Sequence, residues 1–371
     1  MKVTNDKQEQ QVLLCQYAAD HDNVHATKRK AYTMPNHVKK ETKHIGSRII
    51  WIDMAKAICI ILVVIGHYFP DIHPEWYGTI RSVIYSFHMP LFMFASGFVY
   101  IATYQDSGYI AFLTKKAKRL MIPYFTTSIL VISFKLCTQG NAYVENPVTL
   151  MSYLKIIYQP EAGAFLWFIW ALWWMFVIIP FFNTRILRLV LFIIAFFIPL
   201  AIPYLPEIFC LHKFAGMLLY FIAGIMVYDW RELLIWVKHI PLIAVFTVFC
   251  IVEMIPPVYW GGKYIVAFIG IAFILKSSFV ISNNVNRKTK FLVVSSASYI
   301  IYLLHTTFEG LAKAVIVKLP YLSDLSNGVM FTIGAVIVIS AGLFIPIWIN
   351  NNILKRYRIT RVLFGLKEGV S

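Results

Sequence analysis

The stretch IDMAKAICIILVVIGHYF, residues 52–69, decides the fold. Most of its side chains suit the hydrocarbon core of a bilayer, which a helix of about 20 apolar residues can span. It nevertheless contains three ionisable groups, Asp53, Lys56 and His67. Such groups are costly in hydrocarbon, so they usually face the interior of a helix bundle or a water-filled cavity. The stretch therefore predicts a membrane helix with a polar function.

The composition of the whole chain is that of a membrane protein. Of its 371 residues, 59% are hydrophobic and 14% are charged, whereas soluble domains carry about 25% charged residues. We therefore predict an all-α, polytopic membrane helix bundle. The net charge of +16 favours a positive-inside bias over nucleic-acid binding. The five cysteines include no C-x-x-C pair and predict neither a disulfide nor a metal site.

Ten apolar segments divide the rest of the chain. We predict residues 1–48 to be a disordered polar tail without a signal peptide, residues 49–353 to form the transmembrane domain, and residues 354–371 to be a basic tail. The predicted spans are about 49–68, 82–102, 120–137, 164–182, 186–204, 213–229, 239–256, 263–282, 291–317 and 328–353.

The distribution of Lys and Arg predicts the orientation. With the N-terminus inside, 25 of the 34 Lys and Arg residues lie in cytoplasmic segments, 5 on the opposite side and 4 within spans. This imbalance indicates that both termini are cytoplasmic. We expect a multi-pass protein of the inner (plasma) membrane in contact with membrane lipid. The sequence leaves open whether it forms a homo-oligomer.

The ionisable groups of the first span form one polar stripe. Lys56 and His67 are eleven residues apart, so at about 100° per residue they share a helix face, with His67 roughly 16 Å nearer the outer side. Asp53 lies one turn before Lys56. A plain alternative is an interfacial ion pair with an unrelated polar residue at the end of the helix.

Two further spans place polar groups near the depth of His67. His88 enters with the second span, and His305 lies in the outer half of the ninth. Glu309, one turn after His305, could orient its imidazole; a buried pair without chemistry is the alternative. Trp167 could stack on a sugar, although an aromatic belt or packing explains most of the neighbouring tryptophans. Glu253 is a weaker candidate, for which a boundary carboxylate is the favoured explanation.

A basic cluster precedes the third predicted span. It consists of Lys115, Lys116, Lys118 and Arg119. Positive-inside bias alone explains it, but such a cluster could also hold a phosphorylated cofactor through charge-assisted hydrogen bonds.

Together these stretches resemble the membrane acyltransferase-3 family, especially its fucose 4-O-acetylase-like and enterobacterial-common-antigen O-acetyltransferase-like branch. The resemblance covers about residues 49–350. The stretches that carry it are IDMAKAICIILVVIGH (52–67), FHMPLFMFASGF (87–98), KAKRLMIPY (116–124), LWFIWALWW (166–174), FIAGI (221–225) and SYIIYLLH (298–305).

The family's motifs fall on residues already singled out. Its basic-x10-His motif falls on Lys56 and His67, with Lys where much of the family has Arg. Its R-x-x-R element falls on Lys116 and Arg119. Its F-F-x-x-S-G element falls on Phe92, Met93, Ser96 and Gly97, with Met for the second Phe. The Ser96–Gly97 pair suits close packing between helices, and Ser96 is also a candidate for binding the acyl-CoA donor.

The resemblance implies about ten helices and acyl transfer from cytoplasmic acyl-CoA to a sugar or glycan on the outer side. Acetyl-CoA is the default donor, succinyl an alternative, and no metal is implied. We expect a polar cavity between the first, second and ninth spans to admit the donor. His67 would be general base or nucleophile, His88 or His305 would assist, and Asp53 and Lys56 would set the electrostatics. A proton-coupled transporter or flippase for a glycan or lipid-linked sugar is the alternative from another class.

Overall fold

The computed structural model describes residues 49–104, 108–140, 146–230, 232–255, 261–319 and 328–366. The predicted tail at 1–48 and the last part of the basic tail, 367–371, lie outside the described residues. The described residues are helical, without strands.

The structure contains α-helices, 3₁₀ segments and one π-helical turn. The α-helices are α1 Ile50–His67, α2 Glu75–Ala102, α3 Tyr109–Thr138, α4 Ser152–Lys155, α5 Trp167–Ile178, α6 Arg185–Phe197, α7 Leu211–Asp229, α8 Glu232–His239, α9 Leu242–Met254, α10 Gly262–Ser282, α11 Val285–Ile316, α12 Gly328–Ile349 and α13 Arg358–Leu363. The 3₁₀ segments are Ala164–Leu166, Ile179–Phe181, Ile198–Tyr204 and Ile208–Cys210, and a π-helical turn, Asn350–Leu354, follows α12.

Nine helical segments in the described part of the chain are long and apolar enough to span a membrane. They confirm the predicted polytopic bundle. The segment predicted at 239–256 differs, because α9 has only 13 residues. At 1.5 Å per residue it is about 20 Å long, which is less than the hydrocarbon thickness of about 30 Å.

Three helices begin well before their predicted spans. Helices α2, α3 and α11 begin at Glu75, Tyr109 and Val285, whereas hydropathy predicts 82, 120 and 291. Hydropathy detects only the apolar part of a helix, and the first turns of all three helices carry polar residues. In consequence the basic cluster of residues 115–119 lies on α3 itself.

Helix α1 lies at the centre of the bundle, packed against α2, α10 and α11. We call its two ends the Asp53 end and the His67 end. Trp51 packs at the Asp53 end against the rings of Phe98 on α2 and Phe279 on α10. Because these residues lie late in α2 and α10, both helices run antiparallel to α1, and their first halves lie at the His67 end.

Helices α2 and α7 approach most closely at two glycines. A Cβ atom added at Gly97 would overlap the carbonyl oxygen of Phe221, and one added at Gly224 would overlap that of Phe94. Small residues allow such backbone contact between membrane helices. This is the close packing that the Ser96–Gly97 pair predicted. The same helix, α7, is tied to α6 by a 2.5 Å ion pair between Asp229 and Arg188.

Candidate active site

A cavity of about 630 Å³ lies at the His67 end of the bundle. This volume falls in the usual range for small-molecule sites, about 300–1,000 Å³. Its wall brings together four of the predicted site residues, His67, His88, Trp167 and Glu253, from four different helices.

His67 is the last residue of α1, and α2 holds that end in place. The hydroxyl of Tyr77 donates to the carbonyl oxygen of Ile65 at 2.7 Å, and Nε of Arg81 donates to that of Gly66 at 3.1 Å. The last carbonyls of a helix have no partner within it, so these two side chains satisfy groups that would otherwise need water. The position of His67 therefore depends on α2.

Arg81 was missed by sequence reasoning, which counted it only as an outer-side charge. Its guanidinium carbon lies 4.1 Å from the ring centroid of Phe69 and 4.2 Å from that of Tyr85. A cation is also favourable at a helix C-terminus. Arg81, on α2, thus joins the end of α1 to Phe69, which follows α1, and to Tyr85 on α2. No local sequence pattern reveals this relationship.

His305 is completely buried beside His67. The two ring centroids are 4.9 Å apart, with the rings inclined at 62°. Nδ1 of His305 lies 3.0 Å from the carbonyl oxygen of Ile301 and 2.9 Å from that of Tyr302. Since a carbonyl only accepts, we assign the proton of the neutral ring to Nδ1. Nε2 is then an acceptor, and among the described residues it has no hydrogen-bond partner.

The predicted pairing of Glu309 with His305 is not present. The backbone of α11 orients the imidazole, because its Nδ1 already binds carbonyls three and four residues earlier. Within the described structure, Oε1 of Glu309 also has no hydrogen-bond partner. Its side chain packs on α12, where a Cβ atom at Gly342 would lie 2.9 Å from Oε1. Glu309 is thus buried behind the site and is not on the cavity wall.

His88 repeats the arrangement of His305. Its side chain is buried, and Nδ1 lies 2.8 Å from the carbonyl oxygen of Ile84. The same reasoning assigns the proton to Nδ1 and leaves Nε2 as an acceptor. The ring centroid is 4.7 Å from that of Tyr85, which is in turn 6.3 Å from that of His67. Two neutral imidazoles of the same tautomer therefore flank His67.

The remaining polar groups of the wall lie on α2, α5, α7, α9 and α10. The hydroxyl of Ser86 donates to Oε1 of Glu253 at 2.5 Å. The ammonium of Lys213 lies 5.8 Å from the ring centroid of Trp167. Lys213 and Lys263 both line the cavity, although sequence reasoning assigned no role to either.

The segment between α4 and α5 enters the bundle near the histidines; it consists of turns followed by the 3₁₀ segment Ala164–Leu166. Tyr302 donates to the carbonyl oxygen of Phe165 at 2.7 Å, and Tyr124 donates to those of Ile156 and Gln159 at 2.9 and 3.0 Å. Irregular backbone at membrane depth is tolerated where it is buried in protein or lines a cavity. The ring centroid of Phe165 is 5.3 Å from that of His305, so this segment closes one side of the site.

Comparison with known proteins decides the family. The acyltransferase-3 family model, described as an acyltransferase domain, matches residues 49–351. The chain belongs to the acyltransferase-3 family. This confirms the family that the sequence predicts, while the branch within it stays a prediction.

Two curated relatives share shorter regions. The nodulation protein NolL of Mesorhizobium japonicum is 27% identical over 144 residues, which is 38% of this chain and 37% of that protein. NolL of Sinorhizobium fredii is 33% identical over 96 residues, which is 24% of this chain and 26% of that protein. The matched regions thus span about a third and a quarter of these relatives. No solved structure matches.

The remaining positions of the family motifs lie toward the Asp53 end. Nζ of Lys56 is 3.5 Å from Oδ1 of Asp53, which also accepts from Ser295 on α11 at 3.2 Å. Ser96 is half-buried beside the α2–α7 contact. Neither these residues nor the basic cluster belongs to the described residues that line the cavity.

The basic cluster of this family member has two kinds of side chain. Lys115 and Lys118 are exposed, whereas Lys116 and Arg119 are half-buried. The ammonium of Lys116 lies 4.1 Å from the ring centroid of Phe176 on α5. Phe176 also contacts Tyr100, which lies late in α2, so the cluster lies at the Asp53 end. Within the described residues, no three His, Cys, Asp or Glu side chains are grouped as a metal site requires.

Proposed function

We propose that this protein is an integral membrane O-acyltransferase. It moves an acyl group, by default acetyl, from cytoplasmic acyl-CoA to a hydroxyl of a sugar in a cell-surface or exported glycan. The observation that carries this proposal is the placement of His67 on a cavity wall, with the buried imidazole of His305 edge-on to it at 4.9 Å. Membership of the acyltransferase-3 family supports the same reaction class.

In the proposed reaction His67 is the general base. Its imidazole takes the proton of the acceptor hydroxyl while the hydroxyl oxygen attacks the thioester carbonyl. The new C–O bond replaces the C–S bond, and the CoA thiolate that leaves takes the proton back from the imidazolium. Acid–base catalysis of this kind contributes about 10²–10⁴-fold to the rate.

The two flanking histidines supply acceptor nitrogens. In the assigned tautomers, Nε2 of His88 and Nε2 of His305 each offer a lone pair. An acceptor hydroxyl in the cavity can donate to Nε2 of His88, which lines it. His305 is fully buried and is not on the cavity wall, so a donor to its Nε2 has to enter beside His67. Both rings are held by backbone carbonyls. They would therefore orient the acceptor without changing their own protonation state.

The donor is proposed to enter from the Asp53 end, on the cytoplasmic side of the inner membrane. The basic cluster on α3 would hold the CoA phosphates through charge-assisted hydrogen bonds. Helix α1 covers about 21 Å between Asp53 and His67 at 1.5 Å per residue, and the pantetheine arm would follow it to the cavity. The Asp53–Lys56 pair would set the local electrostatics without touching the acyl group.

The test is transfer of labelled acetyl from acetyl-CoA to membrane glycan by purified, reconstituted protein. We expect His67→Ala to reduce transfer by about 10²-fold or more, at unchanged protein abundance. His73→Ala is the matched control, because His73 lies at the same end but is not on the cavity wall. Transfer by His67→Ala at the wild-type rate would remove His67 from the chemistry. Movement of an unmodified glycan without acylation would favour the transporter.

The same assay separates base from nucleophile. Single-turnover labelling without acceptor leaves no label on the protein if His67 acts as a base, whereas a covalent acyl-histidine would retain it.

A further inference from the structure

The cavity wall at the His67 end carries unbalanced positive charge. Lys213 and Lys263 line it, and the carboxylate on the wall, Glu253, accepts a hydrogen bond from Ser86. In the described part of the chain, neither lysine forms an ion pair. Both side chains are exposed at the cavity, so an incoming ligand can reach them.

Neither helix stability nor topology explains these two lysines. Each lies in the first turn of its helix, α7 or α10, where the helix dipole disfavours a positive side chain. Positive-inside bias places cations at the other end of the bundle. The sequence assigns only five cations to this side, and two of the five line one cavity.

The other cations at this end have different partners or positions. Lys155 pairs with Glu161 at 3.3 Å, and Arg81 binds the carbonyl oxygen of Gly66. Lys318 does not line the cavity. Of the five cations on this side, Lys213 and Lys263 are thus the two that line the cavity.

We propose that the acyl acceptor is anionic and that Lys213 and Lys263 bind its negative group. This rests on the proposed function, since the cavity then holds the acceptor. The negative group is a carboxylate of an acidic sugar or a phosphate of a lipid-linked sugar. The ammonium of Lys213 lies 5.8 Å from the ring centroid of Trp167. In the proposed complex the ammonium binds the negative group while the indole ring packs on the sugar next to it. The lysines are substrate-binding residues and take no part in the proton transfer at His67.

Equilibrium binding to the full-length protein in detergent tests this without any acyl transfer. The probes form two pairs: labelled tetragalacturonate with neutral galactotetraose, and geranylgeranyl diphosphate with neutral geranylgeraniol. We expect one anionic probe to bind about tenfold more tightly than its neutral partner, because charge complementarity contributes to affinity. The preference should shrink as ionic strength rises. A preference in the galacturonate pair identifies the negative group of the acceptor as a carboxylate, and one in the diphosphate pair identifies it as a phosphate.

Charge reversal then assigns the preference to the two lysines. Lys213→Glu and Lys263→Glu should each remove most of it, and the milder Lys213→Gln and Lys263→Gln should reduce it in folded protein. Lys318→Glu, the same-side control, should keep it. Equal binding of charged and neutral probes, or a preference that survives in the double Gln variant, would overturn the proposal. The His67→Ala protein should still bind the anionic probe, so a failure of catalysis and a failure of anion binding are separable.

Discussion

His67 at the end of α1 and His305 in the middle of α11 lie with their rings edge-on, 4.9 Å between centroids, although 238 residues separate them in the chain. The second ring is held by the α11 backbone, and its Nε2 has no hydrogen-bond partner in the part of the chain that the structure describes. A buried polar atom without a partner usually costs about 1–3 kcal/mol. We therefore predict that a substrate atom or a bound water donates to Nε2 of His305.

His305→Asn and His305→Gln test this nitrogen. Asn can keep a donor near the position of Nδ1 but has nothing at the position of Nε2, whereas Gln places a polar atom farther out. If Nε2 orients the acceptor, we expect Asn to lower kcat by about 10²-fold and Gln to lower it less. Steady-state acetyl transfer measures both. Wild-type kcat in the Asn variant would assign His305 a purely structural role.

Arg81 is a positioning residue for His67, and Arg81→Lys probes it. Lys keeps the charge but has no planar guanidinium to stack on Phe69 and Tyr85 while donating to Gly66. We expect kcat to fall about tenfold, with the KM for acetyl-CoA nearly unchanged. Arg81→Met should lower kcat further, since the charge is also lost. A rise in the KM for acetyl-CoA with unchanged kcat would instead place Arg81 at the donor site.

The basic cluster on α3 is the proposed donor phosphate site. The double change Lys116→Glu with Arg119→Glu should raise the KM for acetyl-CoA at least about tenfold, because two charge-assisted contacts become repulsive. Binding of the anionic acceptor probe should be unaffected. Lys355→Glu serves as the control, since Lys355 binds Asn351 outside the cluster. An unchanged KM in the double variant would mean that the cluster does not bind the donor and serves only to set the membrane orientation.

The α2–α7 contact predicts a stability difference between two glycines of one helix. Gly224→Ala places a Cβ atom on the backbone of α2, whereas at Gly216 the nearest atom is the side-chain Cδ1 of Ile202 at 3.5 Å. Overpacking costs about 1–3 kcal/mol, so Gly224→Ala should lower the Tm in detergent while Gly216→Ala leaves it nearly unchanged. Equal Tm values for the two variants would mean that α2 and α7 can move apart at no cost in stability.

Much of the fold follows from local sequence. Hydropathy is a property of consecutive residues, so it locates the spans and fails only where a helix extends beyond the hydrocarbon, as α2, α3 and α11 do, or is too short for it, as α9 is. Helical periodicity likewise places Lys56 and His67 on one face. The motif-bearing stretches also suffice to predict the acyltransferase-3 family, which the match over residues 49–351 confirms.

The candidate site follows from the sequence only in part. His67, His88, Trp167 and Glu253 stand out as polar or amphipathic groups near span ends, and they do meet at one cavity. The predicted pairing of Glu309 with His305 is not present. Spacing along a helix shows that two residues are neighbours, but it does not show which of them faces another helix. In the structure Glu309 lies against Gly342 instead.

By itself, then, the sequence determined the membrane class, the approximate spans and the ionisable groups placed at costly depth, because each depends on residues near one another in the chain. Only the tertiary structure decided that His305 lies against His67, that Arg81 and Tyr77 cap α1, and that Lys213 and Lys263 share a cavity. These relationships depend on the rotation and packing of helices about one another. Packing of that kind arises from contacts summed over the whole bundle, which no single stretch encodes.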